Sequence, residues 1–281
     1  MKYGALTYKA QNYGDDIQTI AAMRFLPKCD YFVNRDDIQN EKRKVKIIGN
    51  AYWDKGLGEI PDNIKMLPIS MHLNNRTINL DWLIKNQPIG CRDTATMEFL
   101  HKKGIKAYFS GCLTLTLPEY RGKRENRILL VDCPDDVTRE SETVLDNIKF
   151  PKGAEVVKVS PRYSMPYDII DKPEERLKEA EKLLDLYRTS RLVISRRIHA
   201  VFPCVGMGTP VVLVRIPKNR KRTSGYDFIP EVNKIDFRKN YTVPRPVKII
   251  KRLEREVDKF INANTQDHTH NMGWTRRVSL R

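Results

Sequence analysis

The chain has 281 residues, 40% apolar and 31% charged, and its 51 Lys+Arg against 35 Asp+Glu leave a net charge of +16. That apolar content can bury one large core or two smaller ones, which excludes an intrinsically disordered chain. No run approaches the roughly 20 apolar residues of a membrane-spanning helix, and MKYGALTYKAQNYGDD lacks the apolar segment and cleavage site of a secretory signal, so the expected location is cytoplasmic.

Apolar and β-branched runs alternate with amphipathic stretches along the chain. YGALTY (3–8) reads as a strand, followed by a helix from about Asp15 to Leu26 with Ile17, Ile20, Ala21 and Phe25 at helical spacing and Pro27 behind it. VKIIGNAYW (45–53), MLPISMHL (66–73) and PIGCRD (88–93) read as further strands, and TATMEFLHKKG as a helix stopped by Gly104. A second series begins near residue 127. RILLVDCP is a strand, 137–149 a helix, AEVVKVS (154–160) a strand, and 173–190 a helix opened by Pro173 and acidic residues. RLVISRR then reads as a strand, HAVFPCVGMG as a short buried helix, PVVLV as a strand, and 246–262 as a basic amphipathic helix. Alternating β and α elements imply parallel sheets covered by helices. The polar stretch PEYRGKRENR (118–127) is the candidate linker, so the expected fold is α/β with two Rossmann-like domains, 1–120 and 121–264. Residues 265–281 are expected to form a flexible tail.

The strongest motif is RRIHAVFPCVGMGTPVVLV (196–214), where Arg196, Arg197 and His199 precede an apolar helix. A helix N-terminus disfavours a charged histidine, whereas a bound anion favours it, so His199 is expected to take a proton as an anionic substrate arrives. Asn12, Gly14 and Asp15 form a cap and turn that can meet an anion or simply start a helix. His72 and Asn74 are placed at a strand's C-terminal end, where ligands of open α/β sheets bind. Arg92 and Asp93 read as a local ion pair and helix cap. Lys218, Arg220, Lys221 and Arg222 form a charge run that can clamp phosphates. Five scattered cysteines show no C-x-x-C pair, and His268 and His270 stand without further ligands, so no disulfide framework and no metal site is expected.

Taken together, NYGDDIQTIAA, IGCRDTATMEFLHKKGIKAYFSGCLTLTL (89–117) and SRLVISRRIHAVFPCVGMGTPVVLV (190–214) resemble motifs of the polysaccharide pyruvyl transferase family over residues 3 to about 230. Ser110-Gly111-Cys112 departs from the family pattern, which has Asp-Pro at that turn. The resemblance implies a GT-B-like fold with an interdomain cleft and a closing C-terminal helix. It also implies transfer of pyruvate from phosphoenolpyruvate to two hydroxyls of a sugar, in a glycan or its lipid-linked precursor, forming a cyclic ketal. By motif, His199 is then the catalytic histidine and Arg197 its neighbouring arginine. Asn12, Gly14, Asp15, His72, Asn74, Arg92, Ser195, Arg196 and Arg222 are expected to bind substrate. Histidine suits the proton transfers and arginine the carboxylate and phosphate, and the scheme needs no cofactor and no metal. The rival reading is a GT-B glycosyltransferase using a nucleotide sugar, with Glu231 as a candidate ribose ligand. A nucleic-acid binder is disfavoured, because the basic residues are dispersed and match no reading module. The helix over 246–262 is expected to pack back across the domains, with peripheral membrane contact as the alternative.

Overall fold

The computed structural model of the protein describes residues 1–53, 57–74, 78–133, 149–162, 166–214, 221–232 and 235–263. The expected helix over 137–149, Lys218, Arg220, His268, His270 and the tail lie outside the described residues.

The chain folds as mixed α/β with parallel sheets. The N-terminal half supplies β1 (Lys2–Thr7), α1 (Tyr13–Met23), β2 (Tyr31–Asn34), β3 (Val45–Ile48), β4 (Tyr52–Trp53), β5 (Ile64–Leu67), β6 (His72–Leu73), α2 (Leu80–Lys85), β7 (Ile89–Cys91), α3 (Thr94–His101) and β8 (Ala107–Phe109). The C-terminal half supplies β9 (Glu125–Val131), β10 (Glu155–Val159), α4 (Pro173–Thr189), β11 (Ser190–Ser195), α5 (Ile198–Met207), β12 (Val211–Val214), β13 (Glu231–Val232) and α6 (Val247–Asn262). One parallel sheet runs β2-β1-β3-β5 and another β10-β9-β11-β12-β13, while β4-β6 and β7-β8 are short pairs. No strand pairing crosses between the halves among the described residues. Residues 118–124 run between them on the surface, pinned where Tyr120 N and Arg124 Nη2 donate to the carbonyls of Met207 and Gly208.

Two expected long strands are each broken. The run 45–53 divides into β3 and β4, because Gly49 turns the chain closely over the Leu67 carbonyl and Asn50 Nδ2 donates to the Gln18 carbonyl. The run 66–73 divides at Pro68–Met71, where Ser70 holds a left-handed φ of 54° and is pinned by the buried Ser110 hydroxyl. His72 therefore opens a short strand beside Tyr52 instead of closing a long one. Ser110, at the turn that departs from the family pattern, has a polar duty of a structural kind, also donating to the Cys91 carbonyl.

The helices follow their capping chemistry. Asn12 caps α1 by accepting from Gly14 N, and Asp93 caps α3 by accepting from Thr96 N. Pro173 sits in the first turn of α4, and α5 ends on Gly208 in the left-handed region at φ 71°. One hydrophobic cluster joins the halves, gathering Ala5, Ile17 and Ile69 with Leu129, Val201, Phe202 and the apolar face of α6. Helix α6 packs back onto the N-terminal half. Ile250, Leu253, Val257 and Ile261 are buried, and Lys46 Nζ donates to the Ile261 carbonyl. Its apolar face is thus spent on the core, and no described helix is long and apolar enough to cross a membrane.

Helix α1 is buried on nearly every side, so its polar residues must find partners inside the protein. Asp16 meets Arg176 of α4, which is fully buried and donates through Nε to Oδ1 at 3.1 Å and through Nη2 to Oδ2 at 3.0 Å. The same guanidinium donates to the carbonyls of Tyr8, Ala10 and Ile170. Burial pushes Asp16 up to about 6 against the pull of Arg176.

Candidate functional site

Site-bearing segments leave the C-terminal ends of β1, β7 and β11 and converge with the start of β6. Helix α1 follows β1, Arg92 directly follows β7, and His199 lies in the first turn of α5 after β11. At the centre is Arg92, a fully buried guanidinium. Its Nη1 donates to His199 Nε2 at 3.2 Å and to Gln18 Oε1 at 3.4 Å. Its Nε and Nη2 have no hydrogen-bond partner among the described residues. Asp93 does not satisfy them, since its Oδ2 is 4.0 Å from Arg92 Nε. The expected Arg92–Asp93 ion pair is therefore at best a long contact, and Asp93 spends its charge on His72.

A relay of hydrogen bonds ties this guanidinium to the cap of α1. Gln18 Nε2 donates to Asp15 Oδ1 at 3.1 Å, and Asn12 Nδ2 donates to Asp15 Oδ2 at 3.1 Å. Burial raises the Asp15 carboxyl above its ordinary value, opposed by Arg35, Asn12, Arg222 and Arg92. Gly14 leaves the room His199 occupies: a Cβ there would lie 3.1 Å from the His199 Cβ and 3.4 Å from its Nδ1.

The hydrogen bond from Arg92 fixes the state of His199. A guanidinium offers only donors, so Nε2 must present its lone pair and the ring proton must sit on Nδ1. The ring is 6% exposed. Burial, then Arg92, Arg222 and His72, hold its proton affinity well below that of an ordinary histidine.

His72 has a different environment. Its Nδ1 lies 2.5 Å from Asp93 Oδ2 and 3.2 Å from Thr96 Oγ1, and its ring is tilted against Tyr52 at 5.0 Å. Burial lowers its proton affinity, the Asp93 hydrogen bond raises it, and Arg92 and Arg222 lower it again, leaving it below the ordinary value. Asp93 is raised by burial but pulled down further by His72 and Arg92, and ends below the usual carboxylate value.

Arg222 comes in from the loop after β12, its Cζ 4.9 Å from the Tyr52 ring centroid. The side chain is half-buried, yet its Nε is enclosed with no partner among the described residues. Burial and the neighbouring Arg92 push it down to about 10, so it is still cationic at pH 7.

Of the expected residues, the structure brings together Asn12, Gly14, Asp15, His72, Arg92, His199 and Arg222. Arg197 caps the start of α5, but its Nε pairs with Asp132, a residue at left-handed φ 52°. Ser195 is buried and shapes that turn, its Oγ accepting from Arg197 N at 2.9 Å. Arg196 is half-buried beside it with no hydrogen bond or ion pair among the described residues, Asn74 lies just beyond β6, and Glu231 lies in β13. Gln18, Tyr52 and the Asp93–His72 bond were not foreseen. Helical spacing from the Asn12 cap could have placed Gln18 on the face of Asp15, whereas no local signal announces the other two. Among the described residues no group of three or more His, Cys, Asp or Glu is placed to hold a metal ion.

No functionally curated protein matches the chain. Among solved structures, an uncharacterised protein from Klebsiella pneumoniae is similar at 14% identity with a TM-score of 0.43, over 80% of this chain and 88% of that one. The model of the polysaccharide pyruvyl transferase family matches residues 12–217, a span that holds the α1 cap, Arg92, the Asp93–His72 pair and His199. The chain belongs to the polysaccharide pyruvyl transferase family.

Proposed function

We propose that the protein transfers pyruvate from phosphoenolpyruvate to two hydroxyls of a saccharide, in a glycan or its lipid-linked precursor, giving a cyclic ketal and inorganic phosphate. The observation that carries this reading is Arg92, a fully buried guanidinium with two nitrogens left unpartnered. A buried cation whose nearest carboxylate, Asp93, lies 4.0 Å away and is hydrogen-bonded to His72 is costly, and an anion that fills the gap returns that energy as affinity. Arg222 adds a third unpartnered nitrogen on a second guanidinium, so the two arginines suit a ligand with both a carboxylate and a phosphate. Beside them stand two histidines, the residue type suited to proton transfer near neutral pH.

In the reaction the methylene carbon of the enol phosphate takes a proton, which leaves C2 electron-deficient. A first sugar hydroxyl adds to C2 and loses its proton. The C2–O bond to phosphate then breaks with its electron pair, and a second hydroxyl adds. Arg92 and Arg222 hold the anionic donor, and the two imidazoles move the protons. Helix α1 orients Arg92 through Asp15 and Gln18. The reading includes a GT-B-like division near residue 120 with the site at the junction. Its support is that strands on either side join separate sheets, while His199 meets Gly14 and Arg92 across the division.

The test is calorimetric binding of phosphoenolpyruvate together with phosphate release in the presence of a panel of saccharide and lipid-linked acceptors. His199→Ala is expected to abolish release without loss of fold. Absence of donor binding, or thermal stabilisation by nucleotide sugars in its place, would overturn the proposal.

A further inference from the structure

Two histidines face one cluster of cations, and their hydrogen bonds set them against groups of opposite charge. His199 Nε2 accepts from Arg92 Nη1, so that nitrogen can carry no proton while the contact holds. His72 has its Nδ1 against Asp93, a carboxylate that is itself fully enclosed and fixed by two donors of Thr96: the backbone N at 2.8 Å and Oγ1 at 2.8 Å. This pins the His72 ring with Nδ1 as donor. Nε2 on the far side of the ring has no hydrogen bond among the described residues. One imidazole thus sits against an anion and the other against a cation.

We propose that Asp93 is a positioning residue that makes His72 the proton donor to the enol phosphate and leaves His199 as the base. The inference rests on the reaction proposed above and reassigns the acid role that the sequence reading gave to His199. Donor binding places negative charge beside Arg92 and Arg222 and so favours protonation of both rings, and the ring backed by a carboxylate takes the proton first.

The steps then balance. The π pair of the enol takes the His72 Nε2 proton and forms the new C–H bond. The first hydroxyl adds to C2 and gives its proton to Nε2 of neutral His199, whose lone pair is freed as Arg92 Nη1 turns from it to the anionic oxygens of the donor. The C–O bond to phosphate breaks, and the departing phosphate takes that proton from His199. The second hydroxyl adds to C2 and gives its proton to His72, restoring both starting states. Of the groups facing His72, Tyr52 on β4 packs on the ring and Thr96 on α3 contacts Nδ1. Arg92 after β7, Arg222 from the loop after β12 and His199 on α5 all oppose its charge, and Asp93 alone favours it.

The experiment is a histidine ¹H–¹⁵N titration of the full-length protein, wild type and Asp93→Asn, with and without phosphoenolpyruvate. Asparagine keeps an oxygen for the Thr96 N–H but sets an amide N–H in place of the Oδ2 acceptor, so it removes both the charge and the acceptor of the His72 Nδ1 proton. In wild type His72 is expected to protonate at higher pH than His199, and His199 to show the Nδ1–H tautomer. Asp93→Asn is expected to lower the His72 midpoint by about one pH unit, to move the high-pH limb of kcat down by a similar interval, and to reduce kcat about tenfold or more while donor KM stays within about threefold. If His199 protonates first in wild type, or the His72 midpoint is the same in both proteins, the inference is wrong. A merely structural Asp93 would lower thermal stability and leave the pH limb in place, which also overturns it. Failure of the reaction reading looks different: phosphoenolpyruvate would then perturb neither ring, and no acceptor would release phosphate, whatever the order of protonation.

Discussion

Replacing Arg92 with methionine should separate stability from function in a direction that ordinary core substitutions do not. The guanidinium is fully buried with Nε and Nη2 unpartnered, and each such group costs about 1–3 kcal/mol. The bonds given up leave two buried acceptors, Gln18 Oε1 at 3.4 Å and His199 Nε2 at 3.2 Å, without a donor, which costs about 1–3 kcal/mol each. Methionine is long enough to fill most of the vacated volume and bends to fit irregular space. The two sides offset to within about 1–2 kcal/mol, and at roughly 2–4 °C per kcal/mol the melting temperature should stay within a few degrees of wild type, unlike the large loss that truncating a satisfied buried arginine brings. Donor affinity should fall sharply. Two charge-assisted hydrogen bonds at about 1.5–3 kcal/mol each correspond to a loss of at least about 100-fold. His199 loses the donor that holds its Nε2 lone pair and the strongest charge opposing its protonation after burial, so its proton affinity should rise. Differential scanning calorimetry and donor titration together check this. A variant that is destabilised yet binds phosphoenolpyruvate as wild type does would refute the idea that Arg92 is held unsatisfied for a ligand.

Other perturbations probe the geometry around it. Gly14→Ala should leave stability within about 1 kcal/mol, since helix propensity offsets crowding, but its methyl must push the His199 Cβ, 3.1 Å away. Turnover should fall about tenfold, checked by phosphate release against melting temperature. Both histidines have folded-state proton affinities below the ordinary value, so the unfolded chain takes their protons first. Stability contributed by keeping them neutral is complete above about pH 6.5 and is lost as pH falls, by at most about 1.4 kcal/mol per pH unit for each ring. Melting curves between pH 7.5 and 5 should show it, and His199→Asn should flatten the slope. Arg176→Met leaves Asp16 and three carbonyls without their donor, and should cost about 3–5 kcal/mol by chemical denaturation. At Gly206 a Cβ would lie 2.8 Å from the Leu115 carbonyl oxygen, so Gly206→Ala should cost about 1–3 kcal/mol by the same measurement.

The class of fold was legible because it is written in local periodicity. Pro173 with its acidic first turn, and Gly208 behind an apolar stretch, mark helices from their own residues. The broken strands were not legible, because VKIIGNAYW is apolar on both sides of its break. What divides it is the close pass of Gly49 over Leu67 and the reach of Asn50 to α1, both contacts made elsewhere in the chain. Of the site, His199 and the α1 cap stood out because each is polar at the edge of an apolar element. Asp93 carried an equally clear cap signal, yet that signal hid its second role, since the bond to His72 spans 21 positions. Gln18 was invisible for a related reason. A glutamine inside a helix usually faces water, and only the burial of α1 turns it toward Arg92, 74 positions away.

The disposition of carboxylates explains why the two central arginines remain available. Asp132 is paired with Arg197, Asp16 with Arg176 and Asp93 with His72, while Asp15 is held by Asn12 and Gln18 and its burial disfavours the charged form. Each of these four acids is therefore engaged by a neighbour, and each engagement also fixes a backbone segment that carries a site residue. Neutralising Arg92 and Arg222 falls to whatever binds there. Binding of an anion offsets the repulsion that, after burial, lowers the proton affinity of both imidazoles, so arrival of an anionic donor and availability of a proton become one linked equilibrium. The proposed reaction, in which an enol is protonated only when its phosphate is in place, needs that linkage, and the side chains the folded chain leaves unpaired are suited to supply it.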